Sequence, residues 1–154
     1  MEMTKEHFLL NSIEGVERIE TKKRTKYLII FNPHAGRVPR YGIIHRLVKA
    51  LGHVEVVKPS QRGDSTLFAQ RTDADVVIAA GGDGTVNEVV NGLLRNPRRG
   101  IVLGVIPLGT SNLYARSLRM ATLTSQSAIE AILQGKTRHV DVGKINNRFF
   151  INAC

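Results

Sequence analysis

Three observations predict an α/β fold with a mostly parallel sheet between two helical layers. Apolar runs at Val76 to Ala80 and Ile101 to Ile106 read as strands buried on both faces. Stretches of helical spacing alternate with the strands, as in Ile43, Ile44, Leu47, Val48 and Leu51. Three strands run into turn-rich segments at 32–37, 81–85 and 107–112. Alternation of strand and helix implies a parallel sheet. Right-handed crossovers then set the loops after successive strands on one sheet edge, where they converge on one crevice.

The elements follow in order. Residues 1–25 are polar and charged apart from Phe8-Leu9-Leu10, and are expected to be an N-terminal extension, partly helical at most. Lys26 to Phe31 is the first predicted strand. A helix is predicted over Tyr41 to Leu51, stopped by Gly52. His53 to Lys58 is a strand closed by Pro59. Asp64 is placed to cap a helix reaching Arg71. The strand at 76–80 leads into a helix carrying Val86, Val89, Val90, Leu93 and Leu94, ended by Asn96-Pro97. After the strand at 101–106 come helices at 112–118 and 125–133, the second stopped by Gly135. Two strands, 138–145 and 148–153, are joined by Asn146-Asn147, a pair that tolerates the positive φ of a tight hairpin.

Composition bounds the function. The chain has 154 residues, 42% hydrophobic and 23% charged, ordinary for a globular domain with its own core. Aromatic residues make up 5% and tryptophan is absent, which supplies little stacking surface for nucleic-acid bases. The sole cysteine, Cys154, excludes an internal disulfide or a cysteine metal cluster within one chain. That composition suits a reducing cytoplasm. The first residues include Glu2, Lys5 and Glu6, unlike a signal peptide. The uncharged run from Gly100 to Ala115 is too short to span a membrane and is broken by Gly104, Pro107 and Gly109. The net charge is +9, with clusters at Lys22-Lys23-Arg24, Arg37 and Arg40, Arg95 to Arg99, and Arg116 and Arg119. This is either a solvated basic face or an attraction to anionic membranes or polyphosphate. No nucleic-acid motif accompanies the charge.

The most informative tract is Gly81-Gly82-Asp83-Gly84-Thr85, set between a buried strand and a helix start. That geometry presents backbone N–H groups to a phosphate. A carboxylate in such a turn would repel a bare phosphate, so Asp83 points to an intervening magnesium ion and a nucleotide polyphosphate. Asp83 also suits the helix dipole by itself. Thr85 and Glu88 are three apart and fit a capping box. No G-x-x-x-x-G-K-[ST] sequence occurs, and Asn87 stands where G-x-G-x-x-G requires its third glycine.

Asn32-Pro33-His34-Ala35-Gly36, Gly81-Gly82-Asp83-Gly84-Thr85-Val86-Asn87-Glu88 and Ile106-Pro107-Leu108-Gly109-Thr110-Ser111-Asn112 occur in this order. Together they resemble the three nucleotide-site motifs of the diacylglycerol kinase catalytic domain. That family includes bacterial lipid kinases and the sphingosine and ceramide kinases, and it is distantly similar to NAD kinases and phosphofructokinases, which share the G-G-D-G-T turn. The resemblance covers Lys26 to the C-terminus. It implies a three-layer, Rossmann-like domain of the NAD kinase and diacylglycerol kinase type over 26–145. Residues 146–154 would begin a β-rich second domain, toward which the C-terminal hairpin leads.

The resemblance further implies ATP-dependent phosphorylation of a lipid hydroxyl, of diacylglycerol or sphingoid type, with Mg2+. Carried over by position, Asn32, Pro33, Gly36 and Arg37 border the nucleotide. Gly81, Gly82, Gly84 and Thr85 hold its phosphates, with Glu88 in the same motif. Asp83 acts near magnesium, and Gly109, Thr110, Ser111 and Asn112 complete the cleft. Asp141 resembles an acidic position that helps organise magnesium in bacterial relatives; it also reads as a charge on a hairpin face. The partners implied are a nucleotide and a lipid at an anionic membrane surface, with a cytoplasmic, peripheral location and no specific nucleic acid. Two departures stand out. Leu113 follows Asn112 where many relatives carry an acid. The sequence also stops where the β-rich domain, source of the proposed general base, is expected, so the isolated chain is expected to be a partial enzyme. A soluble NAD kinase-like activity and a non-enzymatic basic module on membranes or nucleic acid are the alternatives.

Overall fold

In the computed structural model, residues 2–10, 17–18, 25–36, 41–117 and 124–151 are described. The strands are β1 (Glu2–Leu10), β2 (Glu17–Arg18), β3 (Tyr27–Phe31), β4 (Val54–Val57), β5 (Val76–Gly81), β6 (Val102–Pro107), β7 (Lys136–Ile145) and β8 (Arg148–Phe150). The helices are α1 (Tyr41–Leu51), α2 (Asp64–Arg71), α3 (Asp83–Arg95), α4 (Leu113–Ser117) and α5 (Ser125–Gln134). All strands join one sheet in the order β2-β7-β1-β6-β5-β3-β4, with β8 paired to β7. β4, β3, β5, β6 and β1 pair in parallel, and β7 is antiparallel to β1, β2 and β8.

Alternation along the strands builds two cores. Leu28, Ile30, Val77, Ala79, Leu103 and Val105 face one side, where Ala69 of α2 and Val86, Val89, Val90 and Leu93 of α3 cover them. Ile29, Phe31, Val76, Ile78, Ala80 and Ile106 face the other, beneath Ile43, Ile44 and Leu47 of α1 and Ala128, Ile129 and Ile132 of α5. The sheet is therefore a middle layer, and β5 and β6 are buried at every position. That is why they read from sequence as unbroken apolar runs.

Several expectations change. The N-terminal segment is expected from sequence to be an extension, partly helical at most. Instead its residues 2–10 form β1, which pairs with β6 at Leu9↔Val102 and with β7 from Glu2 to Leu10. The C-terminal hairpin stays with this sheet, because β1 bridges it to β6. Asn146 has φ 53° at its tip, as the tight turn requires. The strand expected to reach Ala153 ends at Phe150; Asn152 and Ala153 lie outside the described region, as does Leu118, expected at the end of α4. Asp64 does not cap α2. Gly63 holds the N-cap position, and the Asp64 carboxylate accepts from Ser60 N–H, Ser60 Oγ and Gln61 N–H at 2.8, 2.7 and 3.0 Å. It ties down the turn before the helix. Thr124, by contrast, caps α5 by accepting from Ser127 N–H at 3.2 Å.

Candidate nucleotide site

The loops after β3, β5 and β6 meet at one end of the sheet. Strand pairing extends into them: Asn32 N–H donates to the Ala80 carbonyl, and Leu108 N–H to the Gly81 carbonyl, both at 2.9 Å. Glycine permits the closeness. A Cβ on Gly109 would stand 2.6 Å from Gly82 Cα, inside any tolerable contact. One on Gly36 would stand 2.3 Å from the Leu108 carbonyl oxygen, and Gly36 has φ +82°. First, second and third motifs are thus in backbone contact.

Polar side chains brace this junction. Asn32 Oδ1 accepts from His34 N–H at 3.0 Å, while Asn32 Nδ2 donates to Thr85 Oγ1 at 3.1 Å. Asn32 therefore locks the first loop to the start of α3. Asn112, at φ 46°, folds back on its own loop: Oδ1 accepts from Gly109 N–H at 3.0 Å and Nδ2 donates to the Gly109 carbonyl at 2.7 Å. Asp83 reaches across to the third loop. Its Oδ2 accepts from Leu113 N–H and its Oδ1 from Tyr114 N–H, each at 3.0 Å. The carboxylate thereby caps the first turn of α4.

The capping box expected at Thr85 and Glu88 does not form. Helix α3 begins at Asp83, three residues earlier than that box requires, with Gly82 at its N-cap and no side-chain cap. Thr85 is turned to Asn32, and Glu88 Oε1 accepts from Gly63 N–H at 3.1 Å. Glu88 is thus engaged with the loop before α2. The uncapped first turn of α3 leaves backbone N–H groups for an outside acceptor. Gly84, in that turn, is exposed, and a Cβ there would meet nothing within 4 Å. Protein packing does not demand glycine at 84; close approach of a ligand would.

Thr110 and Ser111 are exposed at the tip of the third loop, and Pro33 is half-buried beside Asn32. Arg37 lies outside the described residues. Asp141 is exposed on β7 between Val140 and Val142, which pack on the α3 side; alternation turns Asp141 to the other face. No group of three or more His, Cys, Asp or Glu side chains suited to a metal occurs among the described residues. Tyr114 was not foreseen: it lines the crevice with Gly82, Asp83 and Asn112 and is 3% exposed. An aromatic residue in a short helix reads as core, and only the neighbouring third motif signals its place. Burial pushes its phenol pKa far above the ordinary value. The crevice is shallow and encloses no cavity, so a ligand would lie across its rim.

Residues 26–145 match the model of the diacylglycerol kinase catalytic domain. The chain is 43% identical over 139 residues to a diacylglycerol kinase of Staphylococcus epidermidis, covering 85% of this chain and 43% of that protein. It is 41% identical over 135 residues to one of Staphylococcus haemolyticus, covering 82% and 40%. A crystal structure of a diacylglycerol kinase from Bacillus anthracis str. Sterne superposes with a TM-score of 0.74 at 32% identity, covering 86% of this chain and 47% of that one. The chain spans less than half the length of these relatives. With three ordered motifs, a matching fold and a family model over most of its residues, the chain belongs to the diacylglycerol kinase catalytic domain family.

Proposed function

We propose that this chain is the ATP-binding lobe of a lipid kinase that moves the γ-phosphate of ATP to a lipid hydroxyl of diacylglycerol or sphingoid type. The observation that carries the reading is the uncapped N-terminus of α3, set among three glycine loops in backbone contact. Phosphoryl transfer asks the protein chiefly for position and charge neutralisation. Here N–H groups of the α3 first turn face phosphate oxygens, with Gly82 and Gly109 keeping side chains out of the way. Asn32 and Thr85 hold the first loop at the nucleotide, Pro33, Gly36 and Arg37 border it, and Thr110, Ser111 and Asn112 close its third side.

Asp83 and Asp141 are the acidic residues proposed for magnesium. Two of the roughly four lone-pair sites of the Asp83 carboxylate are taken by backbone N–H groups. The remaining sites suit a cation or its water. When bound, the ion would neutralise charge on the phosphate oxygens. We place residues 1–25 as an N-terminal segment, 26–145 as the nucleotide lobe and 146–154 as the entry to a lipid-covering domain that carries the general base. The net charge of +9 supports a peripheral, cytoplasmic position at an anionic membrane. No helix among the described residues is long and apolar enough to cross a membrane.

Calorimetric titration with ATP, with and without magnesium, is the direct test. Saturable, magnesium-enhanced binding is expected, and no detectable heat from a folded sample would end the reading. The 154-residue chain is expected to bind ATP without phosphorylating lipid. Radiolabel transfer to diacylglycerol by the chain alone would show that it carries a complete site.

A further inference from the structure

We propose that Glu88 is a positioning residue for the nucleoside end of the nucleotide: through the Gly63 N–H it fixes the turn at 58–63 against α3, and that turn walls the open side of the rim. This role rests on the nucleotide reading and asks Glu88 for no contact with ligand or metal. Helices α2 and α3 lie side by side from Glu88 onward. Thr66 Oγ1 donates to the Glu88 carbonyl at 3.0 Å. A Cβ on Gly92 would stand 2.3 Å from the Thr66 carbonyl oxygen. Asn96 Nδ2 donates to the Ala69 and Thr72 carbonyls at 3.0 and 2.9 Å. Yet α3 starts at Asp83, so its first turn stands about 7 Å beyond the level at which α2 begins. The turn at 58–63 borders that step.

β4 is parallel to β3, with Ile30 opposite Val57, so this turn leaves the sheet at the end where the glycine loops gather. On the β6 side, the bonds from Asp83 to Leu113 and Tyr114 N–H close the crevice. A nucleotide seated by its phosphates on the first turn of α3 therefore extends toward β3 and β4. The turn it meets is held at two anchors. Glu88 Oε1 accepts from Gly63 N–H at 3.1 Å, and the Asp64 carboxylate accepts from Ser60 and Gln61. Ser60, Gln61 and Arg62 between them are exposed. Gly63, at φ 96°, gives α2 no side-chain cap, so Glu88 also brings the negative charge that the start of α2 favours. A wall fixed in advance spares a ligand the cost of ordering it.

The test is calorimetry of the 154-residue chain with two probes, ATP and inorganic tripolyphosphate, each with magnesium. Wild type is compared with Glu88→Ala, Glu88→Gln and Asp64→Ala. Glu88→Ala is expected to weaken ATP about fivefold, the scale of one hydrogen bond, and to leave tripolyphosphate unchanged. Amide exchange at Gly63 should accelerate in the same variant. Glu88→Gln keeps an acceptor for the Gly63 N–H and should restore both readings. Asp64→Ala frees the turn from its other anchor, so the same loss confined to ATP is expected, and it judges the proposal even if Glu88→Ala does not fold. Equal weakening of both probes by Glu88→Ala would assign Glu88 to the phosphates or their metal and overturn the positioning role. So would a Glu88→Gln protein as weak for ATP as Glu88→Ala. ATP bound with wild-type affinity by Glu88→Ala or by Asp64→Ala overturns it too, while the nucleotide reading stands. A wild type that binds tripolyphosphate without ATP, or neither probe, ends the nucleotide reading and this role with it.

Discussion

Both bonded oxygens of Asp83 end on backbone N–H groups of α4, so a substitution there alters more than charge. From sequence, Asp83→Asn preserves the fold, because shape and turn propensity barely change. The structure revises this. An asparagine keeps one acceptor and points an NH2 group at a second N–H. We expect Asp83→Asn to cost about 1–2 kcal/mol in the absence of any ligand, and urea unfolding of the two proteins measures it. Equal midpoints would mean that these two bonds add nothing to stability. The position of Asp83 was legible in the G-G-D-G-T turn; its partners, thirty residues away in a helix of five residues, were not. Thr85 shows a related limit. Its three-residue spacing to Glu88 matches a cap only if the helix starts at 86, and the helix starts at 83. The fault lies in the boundary, the weakest part of any reading of local sequence.

At the level of elements, α3 is tied to the C-terminal hairpin by one side chain. Asn91 Nδ2 donates to the Phe149 carbonyl at 2.8 Å, and Asn91 Oδ1 accepts from Phe149 N–H at 3.0 Å. The amide acts as one more peptide group alongside β8. Asn91 is 8% exposed, so Asn91→Ala strands two backbone groups with little water at hand. The expected loss is about 1–3 kcal/mol, with amide exchange at Phe149 accelerated more than at Val77 in β5. Unchanged exchange at Phe149 would refute the tie. The loop junction gives a second expectation: Gly109→Ala forces the second and third loops apart and costs about 1–3 kcal/mol by overpacking, read as a lower Tm together with weaker ATP binding. Strands β5 and β6 were legible because both faces are buried. β1 was not, because Glu2, Lys5, Glu6 and His7 share nine residues with four apolar ones. Its identity as a strand comes from distant partners rather than from local pattern.

Across the whole molecule, one ionic cluster fastens the sheet at the end opposite the glycine loops. Asp75 Oδ2 accepts from Lys26 N–H at 2.9 Å, Arg98 pairs with its other oxygen, and Lys26 Nζ meets Asp73 at 2.6 Å. The Lys26 N–H bond, chiefly, holds the Asp75 carboxyl below the ordinary carboxylate value, with Arg98 adding to it. A depressed folded pKa gives stability that is present above the unfolded value, 3.8, and is lost as pH falls through the folded one. Asp75→Asn is therefore expected to lower Tm near neutral pH, modestly because the site is partly exposed. The gap between the two proteins should close as pH falls below about 4. A gap that persists in strong acid would mean that packing, not ionisation, sets the difference.

The placement of β1 bears on how the chain is made. It leaves the ribosome before its neighbours β6 and β7, which are translated on the order of a hundred residues later, and closing such separations is slow. Until β6 appears Leu9 and Leu10 have no ladder to join, and until β7 appears β1 keeps one open flank. A nascent chain halted before β7 would present that flank to any passing strand, so aggregation during synthesis should fall sharply once the hairpin has emerged.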